Sequence, residues 1–233
     1  MTRVFCFSGS GHSRAVADWM AEALSCHRID IERAEALDLQ SEAPAVVVFP
    51  VYCQAVPPPV RRFLRGLRSE CVTLIATYGG FSHGNALWEA QRLLKGDRVV
   101  AGAYVPTGHT YLEEPAKWDA EALSPLLARV REGQMIRIPI ARKHPLAGFF
   151  PAWRSRLGVR IHRSNACNGC GRCARNCPMG AMKNGKPDRR CIRCLRCVTE
   201  CPQRALRFSS TLPMRLYLKK KRTSDSVKIY SQT

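Results

Sequence analysis

At 233 residues the chain can hold one large domain, or a medium one followed by a small one. A hydrophobic fraction of 45% is that of an ordinary globular protein, and the most apolar run, Ala45 to Cys53, is about half of a membrane-spanning helix. The opening Met-Thr-Arg-Val-Phe-Cys-Phe-Ser-Gly is too short an apolar stretch for a signal peptide, so the expectation is a soluble, cytoplasmic protein with a formal charge of +19.

The first part of the chain alternates short apolar runs with amphipathic ones, which predicts a doubly wound parallel α/β sheet over residues 1–134. Val4–Phe7 is the first expected strand. Ser8-Gly9-Ser10-Gly11-His12-Ser13 follows, and then Ala15, Val16, Trp19, Met20, Ala23 and Leu24 recur at helical spacing. Arg28–Ile31, Ala45–Phe49, Val72–Thr77 and Val99–Val105 are the later strands. Val60–Leu67, behind three prolines at 57–59, and Ala86–Leu94 are helices, and a last helix is expected over Pro115–Arg131. Residues 135–158 mix Arg and Lys with Phe149, Phe150 and Trp153 and read as a basic, aromatic linker holding one short amphipathic helix. Residues 159–210 form a small α+β domain, and 211–233, with Lys219-Lys220-Lys221-Arg222, a basic tail expected to be mobile.

Eight of the twelve cysteines lie between Cys167 and Cys201. Cys167, Cys170, Cys173 and Cys177-Pro178 spell C-x2-C-x2-C-x3-C-P, and Cys191, Cys194, Cys197 and Cys201-Pro202 repeat it 24 residues later. Three thiolates on one turn can each reach a different iron of a cube, while the fourth, past a turn, ligates the other cube. Cys167, Cys170, Cys173 and Cys201 are therefore assigned to one [4Fe–4S] cluster, and Cys191, Cys194, Cys197 and Cys177 to the other. Zinc also uses C-x2-C pairs, but it draws two from each of two separated knuckles, and two complete quartets ending in Cys-Pro fit it poorly. Asn184-Gly185 marks a tight turn between the halves, and Val159–Arg163 is expected to pair with Ala205–Phe208. Cys6 and Cys71 read as core residues, Cys26 as a helix end, and Cys53 as a packing residue on the ligand edge.

The Ser8–Ser13 loop hands a strand to a helix, where backbone N–H groups and the helix dipole favour an anion. Its hydroxyls and missing third glycine separate it from the G-x-G-x-x-G of dinucleotide folds. Pro50-Val51-Tyr52 and Thr77-Tyr78-Gly79-Gly80 end two further strands at the same edge and offer aromatic rings beside polar backbone, as a flat heterocycle requires. His83 and His109 lie on loops nearby, and no Ser-His-Asp or paired-carboxylate arrangement follows from spacing.

Phe7–Ser13, Pro50-Val51-Tyr52 with Pro57 and Phe63-Leu64, Tyr78-Gly79-Gly80 and the cysteine repeat together resemble the fusions of a flavodoxin-like domain to a 2[4Fe–4S] ferredoxin known as EFR-type ferredoxins. The resemblance implies FMN, its phosphate at Ser8, Gly9, Ser10, Gly11, His12 and Ser13. The ring system then lies between Pro50, Val51, Tyr52 and Thr77, Tyr78, Gly79, Gly80. His12 stands where such loops commonly carry Asn, and residues 50–59 lack the glycine that flavodoxins often place beside flavin N5.

From Cys167 to Arg207 there are ten Arg or Lys against Asp188 and Glu200, so the cluster domain stays basic even with two clusters of charge −2 each. Such a face attracts an acidic redox protein, or an anionic membrane surface. The leading expectation is an electron carrier passing electrons between FMN, two clusters and an external partner. The alternatives are a flavin-dependent reductase of a small acceptor and, without any recognised nucleic-acid module, an iron–sulfur nucleic-acid-binding protein.

Overall fold

In the computed structural model the described residues are 1–34, 39–96, 98–132, 134–140, 151–220, 222 and 226–231. Five parallel strands build the first part: β1 (Arg3–Cys6), β2 (Arg28–Asp30), β3 (Ala45–Pro50), β4 (Val72–Tyr78) and β5 (Val99–Pro106). They lie in the order β5-β4-β3-β1-β2. The continuous apolar runs exist because each central strand is covered on both faces. Phe5, Phe7, Val47, Phe49 and Leu74 point to one layer with Val60, Leu64 and Leu87. Val4, Cys6, Val46, Val48 and Ile75 point to the other, with Val16, Met20, Leu126 and Val130.

Helix α1 (His12–Ala23) leaves β1 through Gly11, whose φ of 98° is a left-handed cap. Helix α2 (Pro58–Gly66) begins on two prolines, earlier than the expected Val60, because proline is suited to a first turn that needs no N–H. Helix α3 is Ala86–Leu93.

Two expectations are corrected. The helix expected over Pro115–Arg131 is confined to a 3-10 turn at Glu121–Leu123 and α4 (Pro125–Glu132). Pro115 biases the residue before it away from helix, and the Glu114 carbonyl is bonded to the His12 ring at 2.9 Å. The tail expected to be mobile contains α8 (Leu212–Leu218) and β10 (Lys228–Tyr230). Strand β10 pairs antiparallel with Gly102–Tyr104 of β5 and makes the sheet six-stranded. Its Ile229 packs into one layer and its Tyr230 into the other.

Of the linker, Ile136 donates its N–H to the Val99 carbonyl at 2.7 Å and Ile138 is buried, so this stretch belongs to the first domain's surface. Phe149 and Phe150 lie outside the described residues. Helix α5 (Pro151–Gly158) runs directly into β6 (Val159–Arg163).

The cluster region is a duplicated unit. Strand β6 pairs antiparallel with β9 (Leu206–Ser210) and ties its ends together. Single-turn helices α6 (Arg172–Arg175) and α7 (Arg196–Thr199) are 24 residues apart, and between them β7 (Met182–Lys183) and β8 (Lys186–Pro187) close on Asn184-Gly185, both at positive φ. Asn176 and Glu200 occupy the same repeat position, and Asn176 Nδ2 donates to Glu200 Oε2 at 2.8 Å, as residues on an approximate two-fold axis do. Gly169, Gly171 and Gly180 have positive φ in the first half; Arg193, Leu195 and Arg204 hold the same positions, also at positive φ, in the second.

Candidate functional site

The loops after β1, β3, β4 and β5 meet at the C-terminal edge of the sheet and surround a cavity of about 380 Å³, within the range of small-molecule sites. Ser8, Gly9, Ser10, His12 and Ser13 line one end of it. Pro50, Val51, Tyr52, Thr77, Tyr78 and Gly79 also contribute to its wall. Gly11 and Gly80 do not line it; both have positive φ and turn their loops instead.

The Ser8–Ser13 loop is held by its own polar groups. Gly11 N–H donates to Ser8 Oγ at 3.1 Å, and Ser10 Oγ lies 2.8 Å from both Thr110 Oγ1 and His12 Nδ1. Ser13 Oγ and Thr77 Oγ1 are 2.7 Å apart and buried, coupling this loop to β4. The first-turn N–H groups of α1 have no partner within the helix and face this hydroxyl-rich end.

Burial lowers His109 to about 4. It is neutral at pH 7, and Tyr111 N–H donates to its Nδ1 at 3.2 Å. His83 is also lowered by burial and stacks on Tyr104 at 3.6 Å, apart from the cavity lining. Tyr52 and Tyr111 are raised by burial and stay protonated, as hydrogen-bond donors.

The far wall comes from the linker helix, the cluster loop and the tail helix, where Arg154 and Leu157, Arg193, and Met214 and Tyr217 line the cavity. The spacing argument missed these residues. Only Arg193 carried a signal, standing in the repeat where the first half has Gly169. The two regions are locked together beside it. Arg196 donates through Nε and Nη2 to the Ser8 carbonyl at 3.1 and 2.7 Å, pairs with Glu32 at 2.6 Å and lies over the Phe7 ring. Tyr111 Oη donates to the Arg193 carbonyl at 3.0 Å. Arg196→Ala is expected to cost about 2 kcal/mol, less than orphaning half of a wholly buried pair because Glu32 is partly solvated. Thermal denaturation measures it, and a variant as stable as the parent would rule out the bridge as a fastener.

Cys167, Cys170, Cys173 and Cys201 line one small cavity of about 30 Å³ in the cluster region. Around the other quartet, burial pushes Cys197 up to about 12, and the like charges of Cys194, Cys191 and Cys177 push the same way. Cys194 is likewise raised to about 12, by burial first. Ala181 N–H donates to Cys177 Sγ at 3.2 Å and Ala205 N–H to Cys201 Sγ at 3.3 Å, equivalent bonds in the two halves. Such bonds stabilise thiolate ligands. Among the described residues no three His, Cys, Asp or Glu are gathered for a single ion. The chemistry of the donors, two C-x2-C-x2-C-x3-C-P motifs, fits iron–sulfur clusters.

Residues 162–182 and 188–207 match two family models, each described as a 4Fe–4S binding domain. The C-terminal region is thus an iron–sulfur domain of ferredoxin type with two 4Fe–4S binding motifs, which suggests a role in electron transfer. No curated protein matches the chain. Among the described residues no helix is long and apolar enough to cross a membrane.

Proposed function

We propose that the chain is a flavodoxin–ferredoxin fusion of EFR type that relays electrons between FMN in the sheet-edge cavity, two [4Fe–4S] clusters and an external redox protein. The observation that carries this reading is the junction of cavity and cluster loop. A Cβ placed on Gly9 would lie 2.8 Å from Cys194 Cβ and closer still to the Cys194 carbonyl. Gly9 has no side chain to collide with the Cys194 backbone, and this lets the cluster loop come so near.

The strand order 2-1-3-4-5 supports a flavodoxin-like fold, in which ligands sit at the switch between β1 and β3. The residues suit FMN: hydroxyls and a helix N-terminus at one end for a phosphate, Tyr52 and Tyr78 in the wall for a ring. FMN, when bound, exchanges electrons singly or in pairs, whereas each cluster carries one. Ser8, Ser10 and Ser13 would orient the phosphate. Met214 and Tyr217 of α8 line the same cavity as the Ser8–Ser13 loop. The quartet containing Cys194 is then proximal to the flavin and the quartet containing Cys170 distal.

Cys170 is exposed, and exposed Arg163, Arg172, Arg175, Arg204 and Arg207 lie in the segments that form the distal quartet. An acidic redox protein docking there is steered by charge, in a salt-sensitive way. Eight cysteines kept as thiolates suit the cytoplasm. Protein purified without oxygen is expected to release about eight irons with matching sulfide and one FMN per chain. Eight irons without flavin after incubation with FMN would sink the flavin half of the reading.

A further inference from the structure

Arg193 sits between Cys191 and Cys194 in the proximal cluster loop and also lines the cavity. Its backbone is left-handed, φ 56°, at a position where the equivalent residue of the first half is Gly169. Glycine is the residue that adopts this conformation without strain. Leu195 and Arg204 stand at positive φ in the same way, but of the three only Arg193 lines the cavity.

That side chain is only partly satisfied. Nε donates to the Val159 carbonyl at 2.9 Å, while Nη1 is sealed from solvent with no hydrogen-bond partner among the described residues. A buried guanidinium nitrogen without an acceptor is costly, and a ligand oxygen or nitrogen in the cavity would relieve it. The charge of the wall agrees: Arg154 and Arg193 line the cavity and, among the described residues, no Asp or Glu does. The Ser8–Ser13 end already supplies donors for one anionic group, so Arg193 addresses a second centre of negative charge on the same ligand.

We propose that Arg193 is the charge sensor of the cavity, its guanidinium holding the reduced, anionic flavin more tightly than the oxidised, neutral ring. The inference rests on the flavin reading above. Were FMN bound there, two electrons, one from each reduced cluster, and one proton from water would leave it one unit more negative, a charge that the Arg193 guanidinium would offset. Without a cation between them, that charge and the adjacent cluster thiolates repel each other. Arg193 thus makes delivery from the clusters favourable and raises the flavin potential.

The test compares the parent with Arg193→Gly, which keeps the backbone conformation, and Arg193→Lys, which keeps the charge. Each is purified without oxygen, assayed for iron, reconstituted with FMN and titrated spectroelectrochemically. Arg193→Gly is expected to retain about eight irons and a melting temperature no lower than the parent. Its flavin midpoint should fall by about 30 mV for each tenfold loss of preference for the reduced form, with at least one such tenfold step. Arg193→Lys should recover most of the shift. FMN bound with an unchanged midpoint in Arg193→Gly overturns the assignment alone. Loss of irons from Arg193→Gly also overturns it, because the side chain then serves the cluster. A parent chain that takes up no FMN removes the flavin reading, and this inference with it.

Discussion

Cys194→Ala and Cys170→Ala are expected to behave very differently although each deletes one ligand of one cluster. Either variant should fall from about eight irons towards four per chain. Cys170 is exposed and belongs to the quartet away from the cavity, so its loss should leave FMN binding and the thermal stability of the α/β sheet close to the parent values. Cys194 is buried, its backbone abuts Gly9, and it is part of the same apolar cluster as Phe7 and Phe49. Removing its sulfur leaves a void at the junction and unpins the loop that carries Arg193 and Arg196. Cys194→Ala should weaken FMN binding more than tenfold, equivalent to about 1.4 kcal/mol, and leave the distal cluster unable to reduce the flavin in stopped-flow mixing. Equal losses of flavin affinity in the two variants would contradict the proximal and distal assignment.

Gly9→Val is the second large expected effect. A side chain at this position meets the Cys194 carbonyl, Tyr52 Oη at 2.7 Å and Cys194 Cβ at 2.8 Å. Two of these three atoms belong to the cluster loop and one of those is backbone, so no rotamer change relieves the clash. Overpacking of this kind costs about 1–3 kcal/mol even where the neighbours are flexible. The cheapest relief is separation of the two regions. The variant should keep the far-ultraviolet dichroism of the folded sheet and its irons, yet lose FMN and become sensitive to proteolysis at the junction. Gly66→Ala is the control, since its nearest neighbour would be Leu39 Cδ1 at 3.9 Å. Retention of full flavin binding by Gly9→Val would show that the cluster loop does not close the cavity.

Much of this was legible in the chain itself, and for identifiable reasons. Val46 to Phe49 reads as a strand because both faces are covered, which leaves no polar alternation to blur the run. The two 4Fe–4S motifs needed no tertiary information, since each is spelled by local cysteine spacing. The 3-10 turn and late helix around Pro125 were hidden because apolar residues at helical spacing continue across positions where proline and a bonded Glu114 carbonyl interrupt the backbone. Strand β10 was hidden for another reason: three residues, Lys228-Ile229-Tyr230, carry too short an alternation to stand out within a basic, polar segment. Arg193 escaped because the signal was a substitution between repeats, visible only once both halves are superposed on a common backbone.

The pairing of β10 with β5 gives the molecule the connectivity of a clasp. The chain leaves the large sheet after α4, builds the cluster unit, and returns to lie along the same sheet. A unit hung from one linker would spend time away from its partner surface, and each electron delivery would begin with a diffusive search whose odds depend on tether length. Chain on both sides of the cluster unit is thus fastened to the same sheet, by Ile136 on Val99 and by β10 on β5. In the proposed relay, transfer across the junction is then expected to be insensitive to dilution, which leaves to diffusion the encounter with the outside partner.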